Sequence, residues 1–288
     1  MRYFIQSYIL HLMRSIFCFC LGIFCCFQSF GNTDSTKILQ FQLMPERLIP
    51  AYTADARTHR LQLLKRTQGT EFYGSMGTQF PIINAKGFNK ILQVSLAGST
   101  YLTLERYVKH GSVLNVDFFV DLLFDLELSK QWYLRGGLGH TSQHIADDAL
   151  IAGITPKNYV KDYGQLFSIH RLLQNRLMFY EGFYYFDNFK IGETMPIDWS
   201  KKIMLQAGAE IQVLQWNKIY ALYVAGDVKF RQEFNFGTTQ NLQLGYVISK
   251  TQIKKIRLAY NYLSGYDERG QFYNKKVNLH TVGIYLEL

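Results

Sequence analysis

The sequence predicts an all-β fold: a transmembrane antiparallel β-barrel of outer-membrane type with about twelve strands. Three observations lead there. Aromatic residues make up 16 % of the 288 residues, with 22 Phe and 20 Tyr, while only 18 % are charged. Mean hydropathy is −0.07, so apolar and polar residues are finely mixed. Beyond residue 31 no apolar run reaches the roughly 18 residues of a spanning helix, and a period of two recurs instead. Alternate residues facing lipid and lumen produce this mixture.

Residues 1–31 have the order of a cleaved secretory signal. Arg2 and Arg14 supply positive charge, Ile16 to Phe27 is apolar, and Ser29-Phe30-Gly31 places small residues where a peptidase reads them. All four cysteines (Cys18, Cys20, Cys25, Cys26) lie in this stretch. The mature chain then starts near Asn32 without a thiol, which suits an oxidising periplasm. Residues 32–58 carry no strand pattern and are expected to form a short periplasmic segment before a barrel over 59–288.

Within the barrel, strands are expected over 59–67 and 70–80. Next, Leu92, Val94, Leu96, Leu102 and Leu104 share a face opposite Gln93, Ser95 and Ser99. From Leu114 to Leu126 the alternation is complete, with Leu114, Val116, Phe118, Val120, Leu122, Phe124 and Leu126 apolar and Asn115, Asp117, Asp121 and Asp125 opposite. Aspartates are costly in lipid but reasonable in a polar lumen. Strands 132–144, 164–173 and 176–187 follow. In 203–213, Gln206, Glu210 and Gln212 oppose an apolar face, and in 219–231 Asp227, Lys229 and Arg231 do the same. Strands 240–249, 254–264 and one ending through Val282, Ile284, Leu286 and Leu288 complete the set.

The implied connections alternate short and long. This places tight turns at the periplasmic end and loops at the cell surface. About twelve strands enclose a narrow or plugged lumen, and the interior charges (Asp117, Asp121, Asp125, Arg135, Glu210, Asp227, Lys229, Arg231) are expected to pair across it.

Formal net charge is +9, with Lys201-Lys202, Lys254-Lys255 and Lys275-Lys276 at strand ends. For an exported chain, nucleic acid is not an expected partner. Outer-membrane lipids, including the phosphates of lipopolysaccharide, and the barrel-assembly machinery during biogenesis are. No phosphate-binding loop, nucleotide fingerprint, serine-hydrolase elbow or cysteine nucleophile is present.

Four stretches resemble an outer-membrane family known as domain of unknown function 1207: Leu48 to Arg57 (LIPAYTADAR), Leu114 to Phe118 (LNVDF), His140 to Asp148 (HTSQHIADD) and Gly270 to Tyr273 (GQFY) with the closing strand. Gln143, Ala146 and Asp148 depart from the family pattern, which has a second serine, a glycine and a glutamate there. The resemblance implies a barrel and its location, and no mechanism.

The segment 132–148 also carries the candidate chemistry. On a strand, Trp132, Leu134, Leu138, His140, Ser142 and His144 share the lipid face near the loop end, with Tyr133, Arg135, Thr141 and Gln143 inward. His140-x-Ser142 is similar to the motif of the outer-membrane phospholipase A family. Residues two apart on a strand lie about 6.6 Å apart, within reach of a histidine acting as general base on a serine. That resemblance implies an asparagine orienting the histidine and a calcium site, for which Asn158 and Asp147 or Asp148 are the candidates. Zinc on His140 and His144 would need a helix, and Gly136, Gly137 and Gly139 disfavour one. Ser168 is expected to lack such a neighbour arrangement. Three functions remain open: a structural or envelope-lipid-binding barrel, a lipid acyl hydrolase and a narrow pore.

Overall fold

The computed structural model describes residues 39–287 apart from 107–110, 158, 191–199, 218 and 252. The expected signal lies outside the described residues. The strands are β1 (Gln40–Leu43), β2 (Leu61–Arg66), β3 (Glu71–Gly87), β4 (Lys90–Arg106), β5 (Gly111–Ser129), β6 (Trp132–Ile145), β7 (Tyr159–Leu172), β8 (Leu177–Lys190), β9 (Ile203–Trp216), β10 (Tyr220–Arg231), β11 (Gly237–Ser249), β12 (Lys255–Tyr266) and β13 (Lys276–Glu287). A short helix, α1 (Asp147–Ile151), follows β6.

Strands β2 to β13 form a closed antiparallel barrel of twelve, each pairing with its sequence neighbour and β13 closing on β2. Closure leaves none of these twelve strands at an open edge of the sheet, as a bilayer demands. β2 is short and pairs with β3 from Gln62↔Ser75 to Lys65↔Phe72. Farther along, β1 takes over the same edge of β3, from Gln40↔Lys86 to Leu43↔Ile83.

The alternation read from the sequence is the alternation observed. Asn115, Asp117, Asp121 and Asp125 are buried, whereas Phe118 and Val120 are exposed on the outer face. Leu114 is the exception. It falls at a register shift, with Thr103 opposite Asn115 and Leu104 opposite Val113, and it is buried. An unpaired bulge residue leaves the two-residue period, so it loses its expected place on the lipid face.

The segment expected outside the barrel as 32–58 is the main correction. Residues 40–43 form β1, and residues 48–60 run through the lumen. Leu48 N–H donates to Gln93 (3.0 Å), and Asn241 donates to the Ala54 carbonyl (2.5 Å). Thr53 bonds Glu210, and Tyr52 stacks on Tyr180 at 3.9 Å between ring centres. Asp55 pairs with Lys229 (2.8 Å), Arg57 with Asp117 (3.0 Å) and His59 with Asp121 (2.6 Å). The physical reason is the lining. Charged strand faces without partners of their own would be costly to bury, and this polar segment supplies the partners.

Further inward-facing charges pair with one another, on neighbouring strands or farther round the barrel. Arg257, fully buried, bonds Glu210 (3.1 Å) and Glu287 (2.9 Å), and Arg135 bonds Asp125 through two nitrogens at 2.7 Å each. Asp227 instead accepts from neutral donors, Tyr180 (2.6 Å) and Gln206 (2.7 Å).

Candidate functional site

Strand alternation puts His140, Ser142 and His144 on the outer face, while Thr141 and Gln143 are buried inside. His140 lies opposite Asp162 of β7, and its Nδ1 is 2.5 Å from the carboxylate. Ser142 lies two residues closer to the loop end, between Phe118 and Val160. No hydrogen bond joins His140 to Ser142 among the described residues. The His144 ring meets Phe118 edge-on at 5.7 Å. Asp147 and Asp148 open α1, where Asp148 accepts from Val113 N–H at 3.1 Å. No three potential metal ligands gather among the described residues. Asn158 lies outside the described residues.

Two features of this face escaped the sequence. Asp162 bonds the His140 imidazole. A hydrogen-bonded pair can fix the tautomer and leave Nε2 free to accept a proton. The second is a correction: Ser168 does have a neighbouring base. Its Oγ is 2.9 Å from His170 Nε2 and accepts from the Trp132 indole at 2.9 Å, while the His170 ring stacks on Phe179 at 4.4 Å. A motif read in one direction overlooks Ser-x-His, although strand spacing serves both orders equally.

Inside the barrel, the four stretches that carry the family resemblance meet at one carboxylate. Asp117, from Leu114 to Phe118, accepts from Arg57 Nη2 (3.0 Å) and from Gly270 N–H (2.9 Å). The Gln143 amide completes the shell, its nitrogen donating to Asp117 at 2.6 Å and its oxygen accepting from Thr141 at 2.6 Å. A Cβ on Gly270 would collide with the Gln143 side chain and displace it from Asp117. From Arg57 the network runs through Glu268 (3.8 Å) to Lys229 (3.0 Å).

His59 forms a second luminal node, with Nε2 2.6 Å from Asp121 and Nδ1 3.0 Å from Ser99 Oγ. It borders a cavity of about 150 Å³ that also meets Lys161, Lys229 and Glu233. Burial alone would raise the Glu233 carboxyl, but Lys161 at 3.0 Å and adjacent Arg231 hold it down at about 2. The charges around this cavity are therefore engaged with one another.

Among solved structures, the fold is similar to the outer membrane phospholipase of Salmonella typhi, described as a dimer with bound calcium. Identity there is 14 %, with 80 % of this chain and 90 % of that chain covered and a TM-score of 0.50. Outer membrane phospholipase A from Escherichia coli matches at 12 % identity, 80 % and 92 % coverage and a TM-score of 0.52. These likenesses establish an outer-membrane barrel fold. No curated protein matches the chain in sequence. A family model described as "Protein of unknown function (DUF1207)" matches residues 49–287, and the chain belongs to that family.

Proposed function

We propose that this protein is a sealed outer-membrane barrel that works at its lipid-facing surface and passes no solute through its lumen. The observation that carries this reading is the course of residues 48–60, pinned to opposite walls through Thr53, Asp55, Arg57 and His59. At the outer rim, Lys202 lies 5.8 Å over the Tyr185 ring and Lys276 5.4 Å over Tyr266. Cations standing on interfacial aromatics suit the phosphates of lipopolysaccharide. The test is single-channel recording in planar bilayers. The wild type should be silent, and a refolded, heat-modifiable variant lacking residues 39–58 should conduct. Steady conductance steps in the wild type would sink the proposal.

The His140–Asp162 pair favours a second reading, an acyl hydrolase acting on envelope lipid. In it, Ser142 Oγ attacks the ester carbonyl, His140 takes its proton and delivers it to the leaving alcohol, and water then releases the acid. Asp162 keeps the imidazole oriented. Calcium, if required, would bind near Asp147 and Asp148. Refolded protein in detergent with mixed phospholipids and calcium should release fatty acid, and Ser142→Ala should lower the rate by several orders of magnitude. A wild type inactive with and without calcium rejects this reading and leaves the first.

A further inference from the structure

Strand alternation gives this barrel an apolar belt, because lipid penalises exposed charged side chains. At the short-turn end, which an outer-membrane barrel turns to the periplasm, the outward faces of β10 to β13 keep that rule. Leu222, Val224, Leu244, Leu258 and Ile284 are all exposed there. β7 and β8 break it. Ser168 and His170 stand on the outward face of β7, and exposed Glu181 lies opposite Ser168 on β8. An ionisable side chain in the lipid belt is costly to keep and is by default a candidate functional group.

The geometry around Ser168 is that of an activated hydroxyl. Its Oγ is 2.9 Å from His170 Nε2 and accepts from the Trp132 indole N–H at 2.9 Å. An indole only donates, so the hydroxyl keeps its own proton for Nε2, the arrangement a general base requires. The His170 ring is held between two others, Trp132 (5.9 Å between centres, 9° between planes) and Phe179 (4.4 Å, 10°). Depth matters as well. Trp132 begins β6 beside the turn, where interfacial tryptophans stand. Ser168 pairs with Leu134, two residues or about 6.6 Å farther along the strand. The ester carbonyls of a glycerophospholipid occupy that level, between headgroups and tails.

We propose that Ser168 and His170 are a catalytic pair that hydrolyses acyl esters of glycerophospholipid in the periplasmic leaflet. Resting on the reading that the protein works at its lipid-facing surface, this site is separate from Ser142, which stands toward the loop end. Ser168 Oγ attacks the ester carbonyl, and its proton passes to His170 Nε2. The bond to the glycerol oxygen breaks, and His170 returns the proton to that oxygen. Water then adds to the acyl-serine through His170, which frees the fatty acid and restores the hydroxyl. Glu181 is diagonal to His170 across the β7–β8 ladder, and its negative charge favours the imidazolium formed in each half.

The test uses protein refolded in vesicles of phosphatidylethanolamine and phosphatidylglycerol, with a long-chain alkyl fluorophosphonate that serine attacks with loss of fluoride. Peptide mass spectrometry of the wild type should find the phosphonyl group on Ser168. His170→Phe, which keeps a stacked ring, should remove it. The vesicles should yield free fatty acid, and Ser168→Ala should lower the rate about a thousandfold or more while the barrel stays heat-modifiable. Glu181→Gln should lower kcat about tenfold with KM unchanged, because its charge acts on His170 and touches no substrate. Wild-type labelling needs no variant to fold, so an unlabelled Ser168 overturns the proposal. So does the absence of fatty-acid release, or release that survives Ser168→Ala. Loss in Ser142→Ala with retention in Ser168→Ala assigns the activity to the His140 pair instead. Conductance bears on the sealed lumen alone and leaves each of these outcomes unchanged.

Discussion

The two faces of this barrel are built from the same strands yet handle polar groups in opposite ways. On the outer face polar residues occur as isolated pairs: His140 with Asp162, Ser168 with His170, and Tyr260 with His280 at 2.5 Å. Between them stand Phe118, Val120, Leu205, Val224 and Leu244, all exposed. On the inner face polar groups form a connected set, and the partners come from distant parts of the chain. Lys229 reaches Asp55, Arg257 reaches Glu210 and Glu287, and Asp117 reaches Arg57 and Gly270. Lipid offers no hydrogen bonds, so an outward polar residue must find its partner on its own strand or an adjacent one. The lumen imposes no such limit, because the N-terminal segment and the loop 267–275 enter it and act as further walls.

This contrast predicts different costs for similar substitutions. The largest is expected inside. Arg257→Leu leaves Glu210 and Glu287 buried with their main cation removed, and should lower folding stability by about 3–5 kcal/mol. Urea titration of the barrel refolded into lipid vesicles measures it, and a loss under about 1 kcal/mol would mean that the lumen is wet enough to screen those charges. Next comes the lipid belt. Phe118→Lys places a cation on the exposed outer face of β5 and should cost about 2–4 kcal/mol at mid-depth. A negligible cost would show that this part of β5 stands clear of the hydrocarbon. The smallest effect is expected at the outward pair. His140 and Asp162 are 51 % and 35 % exposed, so Asp162→Ala should change stability by less than about 1 kcal/mol. If the hydrolase reading holds, that same variant loses activity far out of proportion to stability.

Much of the fold was legible in the sequence. Asp121 and Asp125 could be assigned inward and Phe118 and Val120 outward because a strand's side chains alternate whatever its neighbours are. Leu114 broke the rule because a bulge is a property of two paired strands. The outward orientation of His140 and Ser142 was likewise legible. The partner of His140 was not, since Asp162 is twenty-two positions away and meets it only through the β6–β7 register.

By itself, the sequence determined a closed membrane barrel, its strands, and the chemistry of each face, because period two is a local property of an extended chain. Only the tertiary structure decided that Leu48 to Arg60 belongs inside that barrel and that four separated stretches share Asp117. Those facts depend on register and on which segments enter the lumen. They are fixed by the balance of buried charge and unsatisfied hydrogen bonds across the whole interior, to which no single stretch of sequence refers.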